Sequence, residues 1–149
     1  MIEKSCFFIG HRESGDEIYP ALLECVARAA DEYGIESFFV GHHGNFDALA
    51  ARAVCESKRT RPQIRLWLVL SAYCPESRFL LPEGFDGSFF PPGMESVPPR
   101  FALARANRYM AANCTCLIAH VSHTAGNAQK LLVHARRLEE KGLLRVCLV

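Results

Sequence analysis

Short, mostly apolar runs alternate along this chain with longer stretches in which apolar residues recur every three or four positions. The runs lie at 6–9 (CFFI), 37–40 (SFFV), 64–70 (IRLWLVL), 116–121 (CLIAHV) and 144–149 (LRVCLV). Runs this short and this apolar predict strands covered on both faces. Between them the period changes to that of a helix. In DEIYPALLECVARAADEYG, Ile18, Leu22, Cys25, Val26, Ala29 and Tyr33 share one face, with Asp16 as the expected cap and Gly34 as the stop. Pro20 falls in the first turn, where no backbone N–H is needed. Asn45 is the expected cap of a second helix that buries Phe46, Leu49, Ala53 and Val54. RFALARANRYMAAN, introduced by Pro98 and Pro99, predicts a third. GNAQKLLVHARRLEEKG predicts a fourth, with Ala128, Leu131, Leu132, Ala135 and Leu138 inward and Gly142 at its end.

Strands that alternate with helices call for a parallel sheet covered on both faces, because parallel neighbours need crossover connections. The expectation is a single α/β domain over residues 1–149, three layers deep, around a mainly parallel five-stranded sheet. Residues 71–99 interrupt the rhythm. They hold six of the chain's eight prolines, and a connection of that length in a compact domain is commonly functional. Phe79, Phe85, Phe89 and Phe90 favour packing, so the stretch reads as a lid or one wall of a cleft.

Composition changes this picture little. The chain has 149 residues, half of them hydrophobic, and 17 basic against 16 acidic side chains for a net charge of +1. Such a balance offers no general attraction for a phosphate backbone or an anionic membrane. No stretch approaches the roughly 18 apolar residues that span a bilayer, and the apolar part of MIEKSCFFIG is too short for a signal peptide. Seven cysteines, an odd number set mostly in apolar segments, read as free core thiols in a reducing cytoplasm. The pair Cys114 and Cys116 lacks the two-residue spacer of redox and zinc motifs.

Chemistry concentrates just after the strands. The sequence GHRESGDE follows the first, GHHGNFD the second and SHTAGNA the fourth. In an open parallel sheet, ligands collect beyond the carboxyl ends of the strands, where strand order reverses. Glycines there let backbone approach a ligand, and free N–H groups at a helix start attract an anion. The candidate binding residues are Gly10, His11 and Arg12 after the first strand, and Gly41, His42, Gly44 and Asp47 after the second. Arg105, Asn107 and Arg108 come from the third helix, and Ser122, Thr124, Gly126 and Asn127 from the turn into the fourth. Arg100 is a further candidate cation. Asp47 and Glu95 are the carboxylates that can serve as general base or hold a sugar hydroxyl. Histidines 11, 42, 43, 120 and 123 gather near the same sheet edge, but from separate loops without a fixed ligand spacing, so no metal is expected.

The elements CFFIGHR, FFVGHHGNFDALAARAV, PPGMESVPPRFALARANRYM and TAGNAQKLLVHA, in this order over nearly the whole chain, resemble the small bacterial SLOG-superfamily proteins, the group that includes YpsA-like proteins. The resemblance implies a Rossmann-like fold, a pocket for a nucleotide or nucleotide-derived molecule and symmetric self-association. It extends distantly to the LOG phosphoribohydrolases and to the DNA-processing protein DprA. LOG enzymes carry an arginine–lysine pair and a glycine-rich turn ending in two glutamates. Here Asn107 stands near the lysine position, and Gln129 and Lys130 replace the glutamates. Glycosidic hydrolysis needs a carboxylate, so LOG-type hydrolysis is not implied. The favoured expectation is a cytosolic sensor or adaptor that binds a nucleotide-like small molecule, with no resident cofactor. The alternative is a phosphoribohydrolase-like N-glycosidase using Asp47 or Glu95. Nucleic acid is disfavoured as a partner by the charge balance and by the lack of an aromatic–basic strip.

Overall fold

The computed structural model describes residues 1–73, 80–122 and 126–149, Asn127 by its backbone alone. Six strands form its sheet: β1 (Ser5–Gly10), β2 (Ser37–Val40), β3 (Arg65–Val69), β4 (Gly87–Phe89), β5 (Cys116–His120) and β6 (Arg145–Leu148). Every pairing is parallel and the order is β4-β3-β2-β1-β5-β6. The chain lays strands outward on one side of β1, then crosses over and continues on the other. Strand order therefore reverses between β1 and β5.

Alternation along the strands divides the core in two. Cys6, Phe8, Phe38, Val40, Leu66, Cys116 and Ile118 point to one face, beneath helices α1 (Tyr19–Glu32) and α2 (Asn45–Lys58). Phe7, Ile9, Phe39, Val69, Leu117 and Ala119 point to the other, beneath α3 (Pro99–Asn113) and α4 (Asn127–Glu140). Since successive side chains in a strand point to opposite faces, apolar residues at every position mean helices on both. The fold is Rossmann-like, and among the described residues no helix is long and apolar enough to cross a membrane. Cys6, Cys25, Cys55, Cys114, Cys116 and Cys147 are free thiols, and burial pushes the Cys114 thiol up to about 12.

The sheet has six strands rather than the expected five. The sixth, β4, lies inside the stretch read as a loop, and three residues are too few to show a period. Its place is set by tertiary contacts. The Asp86 carboxylate accepts the Leu66 N–H at 2.8 Å and the Lys58 ammonium at 2.7 Å. The Asp86 N–H donates to Leu66 O at 2.8 Å. A Cβ on Gly87 would lie 2.5 Å from the Trp67 ring, so only glycine lets the two strands close here. Phe85 packs into the core under α1 and α2, Phe89 and Phe90 into the other. Phe79 lies outside the described residues.

Two expected caps also differ. Asp16 opens a single 3-10 turn, Asp16–Ile18, and α1 follows it with Pro20 in its first turn. Gly44, not Asn45, precedes α2; the Asn45 side chain instead donates to Ser14 O and, at 3.3 Å, to the Asp16 carboxylate. Gly34 ends the α1 region as expected, at φ +66°.

Candidate functional site

Beyond the carboxyl end of β1, beside the crevice where strand order reverses, lies a cleft of about 370 Å³. A volume of roughly 300–1,000 Å³ is that of a small-molecule site. The first wall is the end of β1 and the loop after it, with Gly10, His11 and Arg12. Gly41, His43, Gly44, Phe46 and Asp47, from the end of β2 into the first turn of α2, form the second. Leu103 and Asn107 of α3 and Ala128 and Leu131 of α4 close it with a largely apolar side.

The glycines are there because the walls touch. A Cβ on Gly10 would come within 2.3 Å of the Phe46 ring, and one on Gly44 within 2.6 Å of the Arg12 Cα. One on Gly41 would stand 3.0 Å from an Asp47 carboxylate oxygen. Hydrogen bonds then stitch three rim loops together. Asn45 N–H donates to Arg12 O at 2.8 Å, tying the loop after β2 to the loop after β1. Ser14, buried, donates from both its N–H (3.1 Å) and its hydroxyl (2.8 Å) to His11 O. Ser122 N–H, after β5, donates to His11 Nε2 at 2.9 Å. An imidazole nitrogen that accepts an N–H carries no proton, so at this contact His11 presents its Nε2 lone pair.

Asp47 is the carboxylate of the cleft. It accepts the His43 N–H at 2.9 Å. Burial raises its pKa above the ordinary aspartate value, against the lowering by that N–H and by the charges of His42 and Arg12. Burial is also the first cause that lowers the pKa of His43, followed by the positive charge of His42 and Arg12. The His43 ring is therefore neutral at pH 7, and its buried Nε2 has no hydrogen-bond partner among the described residues. Arg12, a perturbed carboxylate and an imidazole whose buried Nε2 has no partner among the described residues thus line a partly apolar hollow. Perturbed titratable groups in a cleft make it a candidate functional site.

Of the predicted binding residues, Gly10, His11, Arg12, Gly41, Gly44, Asp47 and Asn107 line the cleft, and Ser122 joins through its backbone. His42 is exposed and outside the lining, its ring tilted by 32° against that of His43 with centroids 4.3 Å apart. Arg105 and Arg108 are exposed on the far side of α3, because the face that packs inward carries Ala102, Ala106 and Met110 and turns Leu103 and Asn107 to the cleft. Arg100 is exposed and its guanidinium lies over the Phe101 ring at 4.8 Å. Glu95 sits exposed in the 3-10 turn Met94–Ser96, away from the lining. No described residue of 71–99 lines the cleft, and residues 74–79 lie outside the described residues. Gly126 precedes α4 at φ +108°, a conformation glycine alone adopts freely. Thr124, His123 and the Asn127 side chain lie outside the described residues. No group of three or more His, Cys, Asp or Glu is placed to hold a metal among the described residues.

Sequence reasoning missed His43 and the apolar side. The loop after β2 has no period from which to tell His42 from His43, and the only signal was the four-residue spacing of His43 and Asp47. Leu103, Ala128 and Leu131 continue the buried faces of their helices and read as core. Compared with protein-family models the chain matches none, and no curated protein matches it.

Proposed function

We propose that the cleft binds a nucleotide or nucleotide-derived small molecule, and that the protein acts as a cytosolic sensor or adaptor related to the SLOG group it resembles. The observation that carries this reading is the meeting of Arg12, Asp47 and His43 with Phe46, Leu103 and Leu131 in one hollow at the reversal of strand order. Arg12 and the start of α2 suit an anionic group. Asp47 suits the hydroxyls of a ribose, and the apolar side suits a base. Native mass spectrometry of the purified protein with a nucleotide panel is expected to show one added or retained ligand per chain. An unmodified mass with every member at millimolar concentration would count against the reading.

A second reading has one observation in its favour, the raised pKa of Asp47 inside the cleft. A carboxylate perturbed by burial can move a proton or steady a cationic sugar. In that case the protein is an N-glycosidase, and since Glu95 stands apart, Asp47 carries the chemistry. Free base released from a nucleotide over time, and lost in Asp47→Asn, supports turnover; a ligand mass that stays constant supports binding alone. Self-association fits the exposed Phe101 and Val133, 51% and 43% accessible on α3 and α4, and light scattering of the purified chain tests it.

A further inference from the structure

His11 and Ser122 are 111 positions apart, yet the Ser122 N–H donates to the His11 imidazole across the crevice between β1 and β5. These are the two strands between which the sheet reverses its order. A main-chain N–H at that place is a donor within the crevice where such folds bind ligands, although Ser122 itself does not line the cleft. Here it faces the Nε2 lone pair of the His11 ring. A charged acceptor forms a hydrogen bond roughly twice as strong as a neutral one, and one N–H cannot serve both fully. His11 also lines the cleft, so a group entering towards Ser122 meets the ring first. Next to it Arg12 puts positive charge on the cleft, near enough to act on both Asp47 and His43.

We infer that His11 is a placeholder: its Nε2 holds the Ser122 N–H until a phosphoryl oxygen of the ligand displaces the ring and takes that bond. The inference rests on the nucleotide-binding reading and adds to it a competitor built into the site. It reverses the sign expected of a simple contact residue. A histidine that touches the ligand weakens binding when removed; a histidine that occupies the ligand's donor strengthens binding when removed. The ring also satisfies the Ser122 amide, so the same contact stabilises the rim before binding.

Isothermal titration with inorganic phosphate and with AMP separates these cases. His11→Ala is expected to bind both probes roughly two- to tenfold more tightly than wild type, the gain from removing one competing hydrogen bond. His11→Gln, whose amide oxygen can accept the same N–H, is expected to return towards wild-type affinity. Unchanged or weaker binding by a folded His11→Ala overturns the placeholder role while leaving the binding reading intact. Failure of both probes to bind either wild type or His11→Ala overturns the inference, and the binding reading falls with it only if the whole nucleotide panel also leaves the mass unmodified. Amide resonances of wild-type protein give a second measurement that needs no variant: Ser122 N–H must shift as phosphate saturates. A Ser122 amide that stays still at saturation also rejects the inference.

Discussion

At the scale of single residues, Asp47 sets function against stability. Its carboxyl is held above the ordinary value chiefly by burial, so folding favours the protonated form. A group whose folded pKa is raised contributes stability that is present below its unfolded pKa and is lost as pH rises through the folded pKa. At neutral pH the ionised carboxylate is therefore a cost to the fold. Asp47→Asn is expected to raise the melting temperature at pH 7, by about 2–4 °C for each kcal/mol relieved, because an amide oxygen can still accept the His43 N–H. The gain should shrink as the pH drops to the ordinary aspartate range, and ligand binding should weaken in the same variant. A melting temperature that falls at pH 7 would show that the charge is held by the site rather than tolerated. Asp47 itself was legible in the sequence, because a carboxylate in the first turn after a glycine-rich strand exit can face a cleft. His43 was not, since its orientation depends on backbone geometry within a loop that has no repeat. Arg105 and Arg108 misled for the opposite reason: their three-residue spacing gave a shared face correctly but not which way that face points.

At the scale of elements, the strands and helices that carry a period were legible and the one that lacks it was not. Five apolar-rich runs became β1, β2, β3, β5 and β6, since three or more consecutive apolar residues between helical segments have few other ways to be covered. β4 has only Gly87, Ser88 and Phe89, and owes its position to Asp86. Burial alone would raise the Asp86 pKa, but the Lys58 ammonium and the Leu66 N–H hold it below the usual value. The carboxylate thus joins α2, β3 and the entry to β4 at one point. Asp86→Ala is expected to cost about 1–3 kcal/mol, the penalty of leaving a part-buried N–H unsatisfied. Hydrogen exchange should show faster exchange confined to β4 and its neighbours on β3. Uniform acceleration over the sheet, or none, would mean that β4 is held by its aromatic packing instead. For a depressed carboxylate the stability is present above the unfolded pKa and lost as pH falls through the folded one. The difference between wild type and Asp86→Ala should accordingly fade in acid.

For the whole molecule, an open sheet must deal with two edges, and exposed edge N–H groups invite pairing with another chain. At the start of β6 and just past its end, the main-chain N–H groups of Arg145 and Val149 turn inward, to Thr115 O before β5 at 3.0 Å and to Ala119 O of β5 at 2.8 Å. Val146 turns outward. Its N–H is taken by Glu139 of α4 at 2.8 Å, and the same carboxylate pairs with Arg136 at 2.6 Å. Burial alone would raise the Glu139 pKa; the Val146 N–H and Arg136 hold it below the ordinary glutamate value. The last turns of α4 thereby cover an edge that would otherwise offer itself to a second sheet, and they place a charge where an incoming strand would lie. Removing that carboxylate in Glu139→Ala is expected to shift the mass distribution towards larger species in light scattering, compared with wild type at equal concentration. Glu139→Gln, which keeps an acceptor but no charge, is expected to hold the wild-type mass and to lose only the pH-dependent part of its stability. That part is present above the ordinary glutamate range and vanishes as pH falls through the depressed pKa. A Glu139→Ala protein with unaltered mass would mean that β6 is kept apart by the curvature of the sheet and the bulk of Arg145 and Leu148, not by the carboxylate.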